Sequence, residues 1–167
     1  SCSEYLEQFG GHKYAAGLTL LEENYLPFKE AFEKVVQETI PPDLLTPEIG
    51  IDAEIDFSEI TPKLMRIIKQ FEPFGPENLS PIFLTRMVQN KKFTRSVGEN
   101  NRHLKLHVCQ KKTPSVALDG IGFDLGKWAP LLQSNGVVDL LYSIEENHWN
   151  NKTSLQLVVK DIRESRP

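Results

Sequence analysis

Apolar and polar side chains alternate over residues 48–57, which is the clearest pattern in the first half of the chain. Three carboxylates and Gly50 face away from the apolar set, so the pattern predicts a half-buried strand with a solvated acidic face. These carboxylates could instead bind a metal ion, but no histidine or second acidic cluster accompanies them. The strand interpretation is therefore preferred, with the apolar positions Ile49, Ile51, Ala53, Ile55 and Phe57.

Helical spacing dominates on both sides of this strand. Apolar residues recur every three or four positions over residues 24–38 and predict a helix. After the strand, Thr61 as N-cap and Pro62 in the first turn predict the start of a second helix. Its predicted apolar face consists of Leu64, Ile67, Ile68 and Phe71.

Residues 79–167 carry mainly strand patterns. Three strands, a short amphipathic helix in LGKWAPLLQSNG (residues 125–136) and two further strands give the layout of a five-stranded OB-fold barrel. The predicted strands are Ile82–Thr94, His103–Val108, Val116–Phe123, Val137–Glu145 and Ser154–Ile162. Alternation in the second strand predicts an inward set, Leu104, Leu106 and Val108, and an outward set, His103, Lys105 and His107.

A segment rich in proline and glycine, QFEPFGPENLSPIF (residues 70–83), separates the two patterns. Prolines at this density cannot continue a helix and stiffen a connector. We therefore predict an α+β chain with an α/β unit over residues 1–72, a connector over 73–84 and the OB-fold barrel over 85–167.

Composition limits the class of protein. The chain is 40% hydrophobic, enough for a core, and it has no run of eighteen apolar residues and no secretory leader, so we expect no membrane contact. Cys2 and Cys109 suit a reducing compartment better than a disulfide framework, which favours the cytoplasm. No CxxC pair or HExxH helix occurs, so we expect no metal or other cofactor in this chain.

The net charge of −4 conceals an asymmetry along the chain. Residues 1–78 carry 15 acidic and 6 basic residues, whereas residues 79–167 carry 8 acidic and 13 basic residues. Within residues 86–112 the single acid is Glu99, and this pattern is typical either of a polyanion footprint or of a solvated barrel face. The basic residues are Arg86, Lys91, Lys92, Arg95, Arg102, Lys105, Lys111 and Lys112.

Small residues surround a histidine in QFGGHKYAAGLTL (residues 8–20). They would let another helix, a tight turn or a phosphate group approach the backbone closely, and His12 is either a phosphate contact or a turn histidine bonded to the backbone. Residues 4–9 predict the end of a helix stopped by Gly10, and residues 16–21 predict a short buried strand.

The last loop, EENHWNNKTS (residues 145–154), places Trp149 close to Asn147 at a predicted hairpin tip. An exposed tryptophan there would offer a stacking platform for a base. The structural alternative is that Trp149 caps the end of the barrel.

Several of these segments resemble RecJ-type single-stranded-DNA exonucleases of the DHH phosphoesterase superfamily. FGGHKYAAGLTL is similar to the GGHxxAAG signature of the DHH-associated domain, and FEPFGPENLSPIF is similar to the connector that follows it. VGENNRHLKL, GIGFDLG and ENHWNNKTSLQLVVKDIR resemble the OB domain of that family. The segments occur in family order, so residues 1–72 resemble the later part of a DHH-associated domain.

The resemblance implies that the GGH element holds the phosphate of the nucleotide being removed. Gly10 and Gly11 would offer backbone amides, and His12 would supply a donor in a supporting catalytic role. The OB domain would bind the strand, and its candidate contacts are Lys91, Lys92, Arg95, Arg102, His103, Lys105, Asn147 and Trp149.

The metal ligands of this family lie in an N-terminal domain with a DHH motif, which does not occur here. We therefore expect a C-terminal region, inactive alone, of a Mn- or Mg-dependent 5′-to-3′ exonuclease in DNA repair and recombination. The implied partners are single-stranded DNA and, for the full-length protein, single-strand-binding protein and repair helicases. Two alternatives remain, a stand-alone OB-type nucleic-acid-binding module and a DHH-family phosphodiesterase acting on small cyclic oligonucleotides.

Overall fold

The computed structural model describes residues 2–12, 15–150 and 152–165, and the chain divides into two compact units, Ser1–Ile49 and Gly50–Pro167. This boundary corrects the predicted end of the first domain at residue 72. Phe57, Met65 and Ile68 are buried in the core of the second unit, so the segment that follows residue 49 belongs there. None of the described helices is long and apolar enough to cross a bilayer.

The first unit consists of an antiparallel hairpin and one long helix. Strand β1 (Gln8–His12) pairs with β2 (Ala15–Thr19), and helix α1 spans Tyr25–Thr39. Short 3-10 turns lie at Ser3–Tyr5, Glu22–Asn24 and Pro42–Leu45. No described side chain of this unit is fully buried, and the apolar face of α1 is therefore only partly covered.

Two predictions for the first unit are confirmed and two are wrong. The helix predicted over 24–38 is present as α1, and the strand predicted over 16–21 is present as β2. However, β2 is exposed along its length instead of buried. The helix predicted over 4–9 is only a 3-10 turn, because the chain then extends into β1, where the two glycines pair with β2.

The second unit is a seven-stranded sheet with two short helices, α2 (Pro62–Ile68) and α3 (Ala129–Gln133). The strands are β3 (Ala53–Glu54), β4 (Phe83–Asn90), β5 (Arg95–Val97), β6 (His103–Gln110), β7 (Thr113–Gly122), β8 (Val137–Trp149) and β9 (Lys152–Glu164). Short 3-10 turns lie at Phe57–Glu59, Lys69–Phe71, Glu99–Asn101 and Gly126–Trp128.

The five long strands pair in a closed cycle. Strand β4 pairs antiparallel with β8 and β6, β8 pairs antiparallel with β9, and β6 pairs antiparallel with β7. Strands β7 and β9 are parallel and complete the cycle. The predicted order of three long strands, a short helix and two long strands is present, and β3 and β5 are added to β4 and β6 respectively.

The core of the second unit follows the predicted alternation of β6. Leu104, Leu106 and Val108 are buried, whereas Lys105 is exposed. Apolar side chains of β4, β8 and β9 are buried with them, whereas Val116 and Leu118 of β7 are only partly buried against this core. The largest fully buried side chain is Tyr142 of β8. The outer surface of β6 is therefore free to carry polar groups.

Tyr142 also connects the core to the segment that precedes α2. Its hydroxyl oxygen lies 2.6 Å from Thr85 Oγ1, and Thr85 Oγ1 donates a hydrogen bond of 2.7 Å to the Ile55 carbonyl oxygen. Burial is the main reason why the pKa of Tyr142 is raised well above its usual value.

The strand predicted over 48–57 is mostly absent, and only Ala53–Glu54 pairs as β3. On both sides of β3, carboxylate side chains accept hydrogen bonds from backbone N–H groups, which are then not available to extend the strand pairing. Asp52 Oδ2 accepts a 2.8 Å hydrogen bond from Ile82 N, and Asp56 N donates over 2.7 Å to Glu59 Oε2 as a 3-10 turn begins.

Helix α2 begins as predicted, since Thr61 Oγ1 accepts a hydrogen bond from Leu64 N over 3.3 Å. Its predicted face is partly wrong because Met65 is buried while Phe71 is 60% exposed. The α-helix ends at Ile68 and continues as a 3-10 turn, which changes the direction of the later side chains.

The predicted connector is an ordered turn within the second unit. Asn78 Nδ2 donates hydrogen bonds to the carbonyl oxygens of Phe71 and Pro73, over 2.8 and 2.9 Å. Gly75 and Asn78 also exchange two backbone hydrogen bonds. The prolines therefore shape a turn between α2 and β4 and do not separate the two units.

Candidate nucleic-acid interface

The β1–β2 hairpin has an uncovered stretch of backbone. Gly10 lies opposite Gly17, and a Cβ atom at either position would meet no atom within 4 Å. A Cβ atom at Gly11 would clash with the backbone of Ala15 and Ala16. The hairpin itself therefore requires Gly11, whereas Gly10 and Gly17 leave space for a group from outside.

A hollow of about 750 Å³ adjoins this backbone within the first unit. Helix α1 contributes Phe28, Phe32 and Val35, and β1 contributes Gly10, Gly11 and His12. The three predicted phosphate contacts therefore line this hollow together with apolar side chains of α1.

A second concave surface, which we call the basic groove, lies on the second unit and has a volume of about 470 Å³. Strands β5 to β9 and the loop before β5 all contribute to it. The lining residues are Phe93, Arg95, Lys105, Leu106, His107, Asp119, Gly120, Asn147 and Gln156.

Two cations face each other in the basic groove. Arg95 of β5 lies directly opposite Lys105 of β6, and both side chains are exposed. Neither forms a salt bridge with any acid of the described residues. Like charges in directly opposite positions destabilise a strand pair, and a phosphate between them would remove that repulsion.

Thr94 lies in the chain between two residues of the groove, Phe93 and Arg95. It is buried, its Oγ1 accepts a hydrogen bond from His107 N over 3.3 Å, and its carbonyl oxygen accepts one from Gln133 Nε2 over 3.1 Å. Its neighbours in the chain, Phe93 and Arg95, are exposed and line the groove. Phe93 is 67% exposed and offers a ring for stacking.

A histidine and a carboxylate lie side by side on the groove floor. His107 and Asp119 are paired in register between β6 and β7, and His107 Nδ1 donates to Asp119 Oδ1 over 2.7 Å. The His107 ring centroid is 5.8 Å from that of Phe93. This hydrogen bond fixes the ring orientation and leaves Nε2 as the other polar atom of the ring.

Five of the predicted strand contacts are not among the lining residues of the groove, namely Lys91, Lys92, Arg102, His103 and Trp149. Lys91 Nζ donates to the Pro114 carbonyl oxygen over 2.8 Å, and Lys92 is exposed. Arg102 forms an ion pair with Asp124. His103 accepts a hydrogen bond from the backbone N–H of Asp124 over 3.2 Å, and its ring contacts Phe123 at 5.4 Å between centroids. These side chains therefore do not line the groove.

Trp149 continues the face of β8 that reaches the groove. It is two residues from Asn147, which lines the groove, so both side chains project from the same side of the strand. Trp149 is 73% exposed and lies opposite Lys152 in the hairpin. That exposure excludes a role in capping the core.

The basic cluster of residues 86–112 is divided in space. Arg86 Nε lies 3.0 Å from Glu54 Oε2, and Lys112 Nζ lies 2.7 Å from Asp56 Oδ1. The hydrogen bond from Lys112 is the main reason why the pKa of Asp56 is lowered. These two cations are neutralised by acids of the second unit, unlike Arg95 and Lys105.

Sequence reasoning missed four residues of the groove, Phe93, His107, Asp119 and Gln156, as candidate contacts. An aromatic residue between Lys92 and Arg95 was a usable signal, because basic runs with interleaved aromatics are typical of nucleic-acid surfaces. The other three become neighbours only through the pairing of β6, β7 and β9.

Within the described part of the chain, no three His, Cys, Asp or Glu side chains cluster closely enough to bind a metal ion. The resemblance implies that the Mn or Mg ions would be held by an N-terminal domain, and we assign no step through a metal to these residues.

A closed cycle of five strands, a helix between the third and fourth of them and a groove on the outer face define an OB-type domain. The family described as the RecJ OB domain matches residues 51–161, and the chain belongs to this family.

Similar proteins agree with this assignment. The chain is 33% identical over 159 residues to "Single-stranded-DNA-specific exonuclease RecJ" of Escherichia coli (strain K12), covering 93% of this chain and 26% of the relative. The protein of the same name from Bacillus subtilis (strain 168) is 27% identical over 162 residues, covering 96% of this chain and 20% of the relative. The chain thus spans about a quarter or less of the length of these curated relatives.

The fold is also similar to a solved structure. The crystal structure of RecJ in complex with Mn²⁺ from Thermus thermophilus aligns with a TM-score of 0.71 at 24% identity. The alignment covers all of this chain and 23% of that one.

Proposed function

We propose that this chain is the C-terminal, strand-holding region of a RecJ-like exonuclease. The whole protein would degrade single-stranded DNA from its 5′ end during DNA repair and recombination in the bacterial cytoplasm. Membership of the RecJ OB family and the names of the relatives support this proposal. The observation that carries it is the pair of opposed cations, Arg95 and Lys105, without an acidic partner in the described chain.

In this proposal the second unit is a five-stranded OB barrel that binds the strand on its outer face. A phosphate lies between Arg95 and Lys105, where it removes their mutual repulsion. One base stacks on Phe93, and another stacks on Trp149 beyond Asn147. Stacking on exposed rings together with phosphate contacts is the usual way in which single strands bind to OB folds.

The first unit is proposed to be the later part of a DHH-associated domain. The open backbone at Gly10 and Gly17 would accept a phosphate oxygen close to the amides, and His12 would donate a hydrogen bond to the same group. Mn or Mg ions bound in another domain would activate the attacking water. The residues of this chain hold and orient the phosphate.

The test of strand binding is a fluorescence-anisotropy titration of the 167-residue chain with labelled dT15 at several salt concentrations. Lys105→Ala should weaken binding and lower the slope of log K against log salt by roughly 0.7, the value for one phosphate contact on a single strand. Lys112→Ala is the matched control, because that lysine is paired with Asp56 away from the groove. Equal effects of both variants would contradict the groove assignment.

A second measurement concerns hydrolysis. A nuclease-free preparation of the chain should leave labelled single-stranded DNA intact with Mn²⁺ or Mg²⁺ present. Metal-dependent degradation by this chain alone would contradict the proposal that another domain supplies the metal site.

A further inference from the structure

The basic groove contains one acidic side chain, that of Asp119, among its described lining residues. A carboxylate weakens the attraction of a groove for phosphate, so its presence there needs a physical reason. Its Oδ1 accepts the hydrogen bond from His107, whereas its Oδ2 has no partner among the described residues. The side chain is 66% exposed and therefore accessible to a ligand.

Asp119 belongs to a row of polar side chains that crosses three strands. It is paired in register with His107 on one side and with Gln156 on the other. Phe93 stands at the His107 end of the row, with the two ring centroids 5.8 Å apart. A base stacked on Phe93 inside the groove would direct its edge at the carboxylate of Asp119 and the amide of Gln156.

The hydrogen-bonding groups of Asp119 and Gln156 can distinguish one DNA base from the others. A carboxylate accepts two parallel hydrogen bonds best, and such charge-assisted pairs are the strong ones. Guanine is the one DNA base whose Watson–Crick edge offers two adjacent donors, its N1–H and its 2-amino group, while its O6 accepts from an amide N–H. That edge is free in single-stranded DNA.

We propose that Asp119 and Gln156 bind the Watson–Crick edge of a guanine stacked on Phe93, so that the groove prefers guanine at one position of the strand. This inference rests on the proposed function, since it requires the groove to bind DNA. It adds a base preference to a surface whose other contacts, to phosphates and to ring faces, are indifferent to sequence.

The experiment compares three labelled nine-residue oligonucleotides in anisotropy titrations with the 167-residue chain. They are dT9, the same strand with one central guanine, and the same strand with hypoxanthine there, which lacks the 2-amino group. The guanine strand should bind about five- to a hundredfold more tightly than dT9, the range of one bidentate base contact. The hypoxanthine strand should lose most of that gain.

Asp119→Asn should abolish the preference for guanine and should leave the affinity for dT9 unchanged or slightly increased, because a negative charge is lost. Glu145→Gln is the matched control, since Glu145 is the next residue in the same row and is not part of the groove. It should preserve the ratio of the two affinities. Thermal melting of both variants checks that the fold is retained.

The outcomes of these titrations distinguish the guanine assignment from the proposal that the groove binds DNA. Equal affinities of the native chain for all three strands would overturn the guanine assignment and leave strand binding intact. A preference that survives Asp119→Asn would also overturn it, because the carboxylate would then serve only to orient His107. Absence of binding to every strand at low salt would overturn the proposed function as well.

Discussion

The two units of this chain carry candidate phosphate sites that are built in opposite ways. In the hairpin of the first unit, side chains are missing, because Gly10 and Gly17 leave the backbone open. In the second unit, side chains are present, because Arg95 and Lys105 stand on paired strands above a packed core. Because these side chains stand on a closed sheet, their relative positions are fixed within the second unit itself.

Burial shows the same contrast. The first unit has no fully buried side chain in its described part, although α1 carries Phe28 and Phe32 with their rings 5.5 Å apart. The second unit buries apolar side chains from four of its five long strands, and β7 contributes the partly buried Val116 and Leu118. We infer that the second unit supplies most of the folding free energy of the chain, since apolar burial is the dominant favourable term.

The largest effect on stability is expected from a substitution in the core of the second unit. Leu106→Ala removes a buried side chain of β6 and should lower the free energy of unfolding by about 2–5 kcal/mol. Urea unfolding followed by tryptophan fluorescence measures it, because both tryptophans, Trp128 and Trp149, lie in the second unit.

Phe32→Ala is the matched control in the first unit, where this ring is 50% exposed. It should change the same transition by less than about 0.5 kcal/mol, the usual range for a surface change. A comparable loss in both variants would mean that the first unit stabilises the second, and the contrast would fail.

The next effect concerns His12 in a full-length protein that contains this chain. His12→Ala should lower single-turnover hydrolysis on the order of a hundredfold, the cost of removing one preorganised donor. The free energy of unfolding should change by no more than about 1 kcal/mol, because the residue is exposed.

Gln8→Ala, on the same strand β1, is the control for His12 and should leave turnover near that of the native protein. Strand binding by the basic groove should be unchanged in both variants. A large loss of stability with normal turnover would show that His12 is structural.

A smaller effect is expected at the hairpin tip of the second unit. Trp149→Ala should weaken binding of dT15 by roughly 1–3 kcal/mol, the range for a base stacked on an aromatic ring. Trp149→Phe keeps a ring and should recover most of that affinity. Equal affinities of the native chain and the alanine variant would remove Trp149 from the interface.

The smallest effect tests the core through pH. Burial raises the pKa of Tyr142, so the folded chain keeps this proton at pH values where the unfolded chain, with a pKa near 10, loses it. Stability is therefore complete below about pH 10 and should fall above it by up to about 1.4 kcal/mol per pH unit. Urea unfolding between pH 9 and 11 measures this slope.

Tyr142→Phe should remove that part of the slope, whereas Tyr25→Phe, at an exposed position of α1, should retain it. Parallel stability curves for the native chain and the Tyr142 variant would show that the hydroxyl does not titrate differently on folding.

The sequence pattern correctly predicted those elements that depend only on residues close together in the chain. The alternation of β6 and the cap at Thr61 depend on neighbours in sequence, and both are present. The strand over 48–57 was overestimated because Asp52 hydrogen-bonds to Ile82, which lies thirty positions further along the chain. The burial predicted for β2 was wrong because periodicity gives the apolar face of a strand and not what covers it.

The candidate site was predictable only in part. Arg95, Lys105 and Asn147 were identified from charge and loop composition, and the structure brings them into one groove. Asp119 could not be found in this way, because its neighbours belong to other strands. The contact predicted between Arg102 and DNA stays a prediction, and its ion pair with Asp124, 22 positions away, could not be read from the local sequence.

The pairing of the strands has a consequence for how the chain associates with other molecules. Each long strand of the second unit has strand partners on both sides, although the β4–β6 and β7–β9 pairings cover only part of those strands. In the described part of the first unit, β1 and β2 pair as strands only with each other, so each has one edge without a neighbouring strand. Unpaired edges are templates for strand addition. Self-association of the chain at high concentration should therefore begin at the open edges of β1 and β2.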